Sequence, residues 1–343
     1  MPTVSPFRAL RFDEAVAGPL DDLVAPPYDV IDDEARRGFL ARSPFNIVHL
    51  TLPESPAAAG ELLAEWRSEG VLREEEPALW WVAQDYVGPD GVARTREGIA
   101  GAVEATPYAE GQVLPHERTH TGPKEGRLQV LRATRAQLEP IFLLYDADPP
   151  VSRPQGEPDL DVEEGGVRTR LWRLPAERLE IDTPFLIADG HHRYETAVAF
   201  REENPGAPET LAVLVSSRSP GLEIFPTHRV VEHLENEVPA EPTPAWDPAA
   251  LALYTDGTFA RVRSDDELDA RAVERFAPHV ARYTPDSGDA IAAVDRGEAE
   301  AAFLVRAPTV AQVAAFAARG ETMPQKSTFF YPKLTSGLLV FPV

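Results

Sequence analysis

The stretch PFLIADGHHRYETAVAFREEN, residues 184–204, decides the fold class. Its apolar start has the length and composition of a buried strand. The strand ends at Asp189-Gly190, and a helical pattern begins at once. Gly190 allows a tight turn and a close approach of backbone to a ligand. The N–H groups at a helix start favour an anion. Arg193, in the first turn, can grip two phosphate oxygens. His191 and His192 can donate to a phosphate, and Asp189 can bind a metal or orient a histidine. The plainer reading makes Asp189 a helix cap and the histidines half-exposed turn residues.

Outward from this turn the pattern mixes α and β without one regular βαβ series. FNIVHLTL (45–52) alternates and reads as a strand, whereas residues 57–72 form an amphipathic helix with Leu62, Leu63 and Trp66 on one face. ALWWVAQDYV and REGIAGAVEA read as strands joined at GPDG. GRLQVLRATRAQL (126–138) reads as a helix, PIFLLYD (140–146) as a buried strand and TLAVLVSS (210–217) as a central strand. Residues 148–166 and 235–248, rich in Pro and acid, read as loops. Helical patterns at 266–278, 288–297 and 309–319 flank the strand AAFLVR.

Composition removes several function classes. The 343 residues include 43% hydrophobic side chains, enough for a real core and roughly two domains. With no cysteine there is no disulfide, no thiolate metal site and no Cys nucleophile. A formal charge of −23 repels phosphate backbones, so nucleic acid is not an expected partner. No apolar run reaches the roughly 18–20 residues that span a bilayer. MPTVSPFRALRF lacks the pattern of a signal peptide, so the cytoplasm is the expected compartment. The sequence leaves oligomeric state open, a homo-oligomer included.

LPHERTHTGPKEGR (114–127) contains His116-Glu117-Arg118-Thr119-His120, the H-E-x-x-H spacing of zinc hydrolases. That chemistry needs both histidines on one helix face, yet Gly122-Pro123 would end a helix two residues after His120. Arg118, Lys124 and Arg127 make the stretch locally basic, as suits a loop closing over an anion. Near the C-terminus, Lys326-Ser327-Thr328, and Lys333 with Thr335-Ser336-Gly337, supply ammonium, hydroxyl and backbone donors. They lack the Gly-rich run of a Walker A loop. The chain has only three lysines, Lys124, Lys326 and Lys333, all in loop-like segments. PTHRVV (226–231) adds His228 and Arg229, and APPYDVI (25–31) holds Tyr28 and Asp29 on a rigid turn.

ADGHHR, between strand and helix, resembles the phosphate-binding motif of the ParB/sulfiredoxin-like superfamily, which includes free serine kinases. VLPHE (113–117) is similar to an earlier strand-and-turn element of that fold. Over nearly the whole chain, VAPPYDVI, PHERT, PIFLLY, ADGHHRYETA, PTHRVV and MPQKSTFFYPKLTSGL resemble the uncharacterised family called domain of unknown function 1015.

The resemblance implies a mixed α/β (α+β) fold. A ParB/serine-kinase-like core at 110–217 would lie between N-terminal (1–109) and C-terminal (218–343) α/β portions. It implies phosphoryl transfer between a nucleotide or pyrophosphate and a small hydroxylated metabolite such as free serine, assisted by Mg²⁺. Glu117 would be the base. Asp189 and His191 would be catalytic, with Asp189 also a metal ligand. Gly190, His192, Arg193, Lys326, Ser327, Thr328 and Lys333 would bind phosphate. His116, Arg118, Thr119, His120, Tyr28, Asp29, His228 and Arg229 would contact substrate. The departures are a larger N-terminal portion, a C-terminal K-S-T segment that small serine kinases lack, and the absence of sulfiredoxin's cysteine. Two alternatives stand beside this reading: a nucleotide-binding switch, and a zinc hydrolase built on His116 and His120.

Overall fold

A computed structural model describes residues 2–117 and 121–343, the side chains of 121–124 excepted. The fold is mixed α/β, as the sequence pattern implies. Contacts divide the described chain into two units. The first holds residues 2–115, 121–222 and 332–343; the second holds 116, 117 and 223–331.

The first unit is built on a ten-stranded sheet. In chain order its strands are β1 (Thr3–Ser5), β2 (Leu79–Val87), β3 (Ala93–Glu104), β4 (Val113–Leu114), β5 (Ile141–Tyr145), β6 (Leu160–Glu164), β7 (Val167–Leu174), β8 (Leu179–Glu180), β9 (Phe185–Asp189) and β10 (Glu209–Ser216). The spatial order is β4-β9-β5-β10-β3-β2-β7-β6, with β1 paired to β3 and β8. The long hairpin β2–β3 pairs Trp81 with Ile99 and Trp80 with Ala100, large side chains against β-branched or small ones. β10 lies between β3, antiparallel, and β5, parallel, so it is central and apolar throughout its middle.

Four helices matter here: α1 (Asp33–Arg42), α2 (Pro56–Ser68), α3 (Thr121–Thr134) and α4 (His191–Glu203). Asp32 caps α1 by accepting from the Ala35 N–H at 2.8 Å. Leu79, Trp81, Ile141, Leu143, Phe185, Ile187, Leu214 and the α4 residue Tyr194 share one buried core.

The second unit carries a six-stranded sheet. After β11 (Glu223–Phe225) come β12 (His228–Val231), β13 (Ala240–Thr243), β14 (Ala252–Thr255), β15 (Thr258–Val262), β16 (Arg282–Thr284), β17 (Ala301–Leu304) and β18 (Phe329–Tyr331). The sheet order is β13-β15-β14-β17-β12-β16, while β11 pairs with β18. Helices α5 (Asp269–Phe276), α6 (Ser287–Asp295) and α7 (Val310–Ala318) complete it. Val231, Leu253, Val273 and Phe303 anchor one apolar cluster and Val230, Tyr254, Ala290 and Leu304 another.

Four local expectations need correction. FNIVHLTL is not a strand; Val48–Thr51 is a short helix. Asn46 decides this, because its side-chain oxygen accepts from the Val48 N–H at 3.0 Å while its amide donates to the Asp22 and Val24 carbonyls. Such a local side-chain turn overrides the strand preference of a short β-branched run. The 148–166 loop contains β6, whose L-D-V-E-E alternation pairs it with β7. The 235–248 loop likewise contains β13. Finally, Gly122 and Pro123 do not end a helix; they lie in the first turn of α3, where a missing N–H leaves no hydrogen bond unmade.

Candidate phosphate site at the β9–α4 turn

β9 delivers Asp189 to the edge of the core, and Gly190 turns the chain into α4. Gly190 has φ 92° and ψ 31°, a left-handed conformation, and no side chain caps the helix there. The first turn of α4 also holds no acidic residue. Its N–H groups therefore meet no capping carboxylate, which keeps the local field positive.

Asp189 lies between two cations. Arg193, one helical turn on, donates from Nη2 to Oδ2 at 2.5 Å, and Lys333 donates to Oδ1. All three side chains are largely buried, at 13%, 8% and 19% exposure for Asp189, Arg193 and Lys333. Burial alone would raise the Asp189 carboxyl, but Lys333 and Arg193 outweigh it and hold the group well below the usual carboxylate range. Arg193 also donates from Nη1 to the Pro140 carbonyl.

A third cation joins them. Arg96 on β3 is 2% exposed and sits over the Phe142 ring at 4.4 Å. It donates to the Gln84 side chain and, at 2.6 Å, to the Pro332 carbonyl. Its Nη1 is buried without a hydrogen-bond partner. Burial pulls Arg96 down to about 9, against the opposing pull of Tyr86 and Asp189, so it stays a cation at neutral pH.

The C-terminal strap brings Lys333 to this turn. Gln84 donates to the Lys333 carbonyl at 3.2 Å, Thr335 meets Thr169 at 3.1 Å, and Ser336 pairs with Ala25. On the far side of Arg193 lies Glu139, only 5% exposed. It accepts from the Tyr28 N–H at 2.8 Å and the Ser336 hydroxyl at 3.2 Å. Burial raises the Glu139 carboxyl above its ordinary range, although Arg193 and the Tyr28 bond pull it down. Burial raises Tyr28 as well, and Arg127 stacks on its ring at 4.3 Å. Asp29 is exposed.

Asp189 does not fit the expected role of metal ligand. Both of its oxygens face cations, and a divalent ion would have to displace one and then lie beside the other. His191 and His192 are half-buried at the helix start, with His191 adding to the positive field on Asp189. The His192 carbonyl accepts from the Thr196 hydroxyl at 2.7 Å.

His116, Glu117, Lys326, Ser327, Thr328, His228 and Arg229 belong to the second unit. Glu117 bridges to Met323 and accepts from the Lys326 N–H at 3.2 Å. Lys326 itself has φ 53°. His116 is fully buried, with Nε2 2.9 Å from the Thr328 hydroxyl, and Ser327 donates to the Pro324 carbonyl at 2.6 Å. His116 thus lies outside any helix, whereas the zinc-hydrolase motif requires it on one. Arg118, Thr119 and His120 fall outside the described residues. His228 is buried and its Nδ1 accepts from the Val305 N–H at 3.2 Å. Burial, with Arg229 beside it, pulls His228 down to about 4, so it is neutral at pH 7.

Arg96 and Glu139 escape the sequence reading. Glu139 is a lone charge before an apolar run in QLEPIFLLY, whereas Arg96 stands beside Glu97 in REGIAGAVEA, and a buried charge in a strand or at its edge is itself a signal.

Gly190 offers a direct test of the turn. A Cβ there would lie 3.0–3.1 Å from Arg193 Nε, Cζ and Nη2. The backbone would also hold a side chain in a left-handed conformation, at about 1–2 kcal/mol. Gly190→Ala is expected to lose about that much stability in urea unfolding and to weaken pyrophosphate binding by displacing the guanidinium. Unchanged values of both would show that the turn is not a built site.

Comparison with known proteins gives the following. No curated protein matches the chain. Among solved structures, a free serine kinase in complex with AMP is similar with a TM-score of 0.44 and 16% identity, over 67% of this chain and 86% of that one. SbnI with a C-terminal truncation, from Staphylococcus aureus, has a TM-score of 0.44 and 11% identity, over 71% of this chain and 87% of that one. A conserved hypothetical protein from Pyrococcus furiosus has a TM-score of 0.39 and 16% identity, over 67% and 90%. These likenesses are too distant to assign an activity. Among the described residues no helix is long and apolar enough to cross a membrane. The model of the family described as protein of unknown function (DUF1015) matches residues 4–280, and the chain belongs to that family.

Proposed function

We propose that the chain is a small-molecule phosphotransferase. Its first unit holds the phosphates of a nucleotide or pyrophosphate at the Asp189–Arg193 turn, and free serine is the acceptor. One observation carries this reading. Arg193 and Lys333 flank the carboxylate of Asp189 at an uncapped helix start, with Arg96 buried in its field and Glu139 the other buried carboxylate acting on Arg193. That leaves an excess of buried positive charge in a protein of net charge −23. Such an excess is costly unless an anion completes it.

Phosphoryl transfer asks the protein chiefly for positioning and charge neutralisation. Arg193 and Lys333, already ordered by Asp189, supply both without reorganisation. The bond from the terminal phosphorus to its bridging oxygen breaks as a bond to the serine Oγ forms. The serine hydroxyl proton passes to a carboxylate. Glu117 takes that role from the family resemblance; Glu139 competes for it, because its raised carboxyl lies within the field of Arg193.

The test incubates the full chain with L-serine and ATP, ADP or pyrophosphate, with and without Mg²⁺, and follows phosphoserine by ³¹P NMR. Loss of the true base is expected to cost at least about 100-fold in kcat. Glu117→Gln and Glu139→Gln therefore separate the two candidates, and full turnover in both variants would remove both. Nucleotide binding without any product would favour the regulatory switch. No binding at all would sink the phosphate site.

A further inference from the structure

The second unit contains a cavity of about 220 Å³ whose walls include Arg229, Asp269, Arg306, Thr309, Met323 and Ser327. Arg229, on β12, is 2% exposed. Its Nη1 donates to the Thr227 carbonyl at 2.7 Å, while its Nη2 is buried with no hydrogen-bond partner. Tyr283 presents its ring 5.7 Å from the guanidinium carbon. Among the described residues no carboxylate forms an ion pair with Arg229; Glu274, Asp269 and Glu117 act on it only through space. Asp269 is committed elsewhere. Its Oδ1 lies 2.6 Å from Arg306 Nη2, and its Oδ2 accepts from the Arg306 N–H at 2.7 Å.

The cavity wall thus carries one buried guanidinium with an unpartnered nitrogen and, among the described residues, no carboxylate in contact with it. Such a group is strongly unfavourable in a folded protein unless something binds it. The wall also includes the starts of two helices, at Asp269 of α5 and at Thr309, the cap of α7. Both ends add a positive field.

We infer that this cavity binds a small organic monocarboxylate, with Arg229 receiving the carboxylate. The charge sets the class. One guanidinium that lacks an ion-pair partner among the described residues matches one negative charge, and the carboxylates of Asp269 and Glu267 in the same wall oppose a phosphate dianion. The size sets the body. A volume of about 220 Å³ is below that of drug-sized pockets, and Leu268, Val305 and Met323 supply apolar wall for a short aliphatic group. Ser327 spends its hydroxyl proton on Pro324, so Arg229 is the principal donor. The site lies wholly within the second unit and shares no residue with the Asp189 turn.

The experiment titrates the full chain by calorimetry with L-lactate and L-alanine, their decarboxylated counterparts ethanol and ethylamine, and inorganic phosphate. The expected result is saturable binding of a carboxylate, none of its counterpart, and weaker binding of phosphate. Arg229→Met is expected to weaken carboxylate binding at least tenfold and to raise Tm, because it removes an unpaired buried charge. Ala307→Leu, which keeps Arg229 and fills the cavity, is expected to weaken binding as well. Arg193→Ala is expected to leave it intact, which keeps this site distinguishable from the phosphate site. No saturable carboxylate binding, equal binding of the decarboxylated molecules, tighter binding of phosphate, or full binding by Arg229→Met would each overturn the inference.

Discussion

Asp189→Asn is expected to destabilise the first unit by about 3–5 kcal/mol, the usual cost of breaking a buried ion pair from one side. The substitution keeps the shape of the side chain and removes a charge that Lys333 and Arg193 share. Those two cations, with Arg96 nearby, then repel one another in a site that is almost dry. The pH dependence follows from the depressed Asp189 carboxyl. An unfolded Asp titrates near pH 3.9. Above that value the wild type holds the full contribution of the charged group, so the gap between wild type and variant is constant. As pH falls from about 4 toward the lower folded value, protonation removes the contribution, and the gap closes. Urea unfolding of both proteins at pH 7, 5 and 3 measures this. Pyrophosphate is expected to raise the Tm of Asp189→Asn more than that of the wild type, because it replaces the missing anion. A variant as stable as the wild type at pH 7 would mean that the three cations are not held by Asp189.

Arg193→Lys is the second large effect. Lysine keeps the charge but loses the planar fork that reaches Asp189 from one nitrogen and Pro140 from the other. A phosphate held by that fork loses at least one charge-assisted bond, worth about 1.5–3 kcal/mol. Nucleotide or pyrophosphate affinity is therefore expected to fall about 10- to 150-fold. Fold stability should fall less than in Asp189→Asn, since a cation remains beside the carboxylate. Calorimetric titration of both variants separates the two effects. Unchanged affinity in Arg193→Lys would place the phosphates elsewhere.

The order of these effects shows why the turn was legible and its surroundings were not. Asp189, Gly190, His191, His192 and Arg193 are consecutive, and their spacing already implies a strand, a left-handed turn and a helix start. Arg193 reaches Asp189 because the left-handed turn at Gly190 brings the first turn of α4 back beside the end of β9. The paired strands around GPDG were legible for the same reason, since their turn depends on neighbours in the chain. The helix at Val48–Thr51 was not, because Asn46 draws its partners from Asp22 and Val24.

Lys333 lies 144 residues beyond Asp189, and nothing in its own neighbourhood tells that it ends there. Lys326, beside Glu117, belongs to the second unit, and Lys333, on Asp189, to the first. Arg96 and Glu139 looked like ordinary charges in apolar runs. Only the folded chain buries them, and burial makes them matter by stripping away the water that would otherwise solvate them.

By itself the sequence determined the family, the mixed α/β class and the strand–turn–helix order around Asp189-Gly190. Each of these depends on residues close in the chain, where backbone geometry allows few outcomes. The tertiary structure decided which distant charges meet. The cation excess at Asp189 and the lone buried Arg229 both come from long-range packing, and Coulomb energy depends on separation in space and on burial, not on separation along the chain.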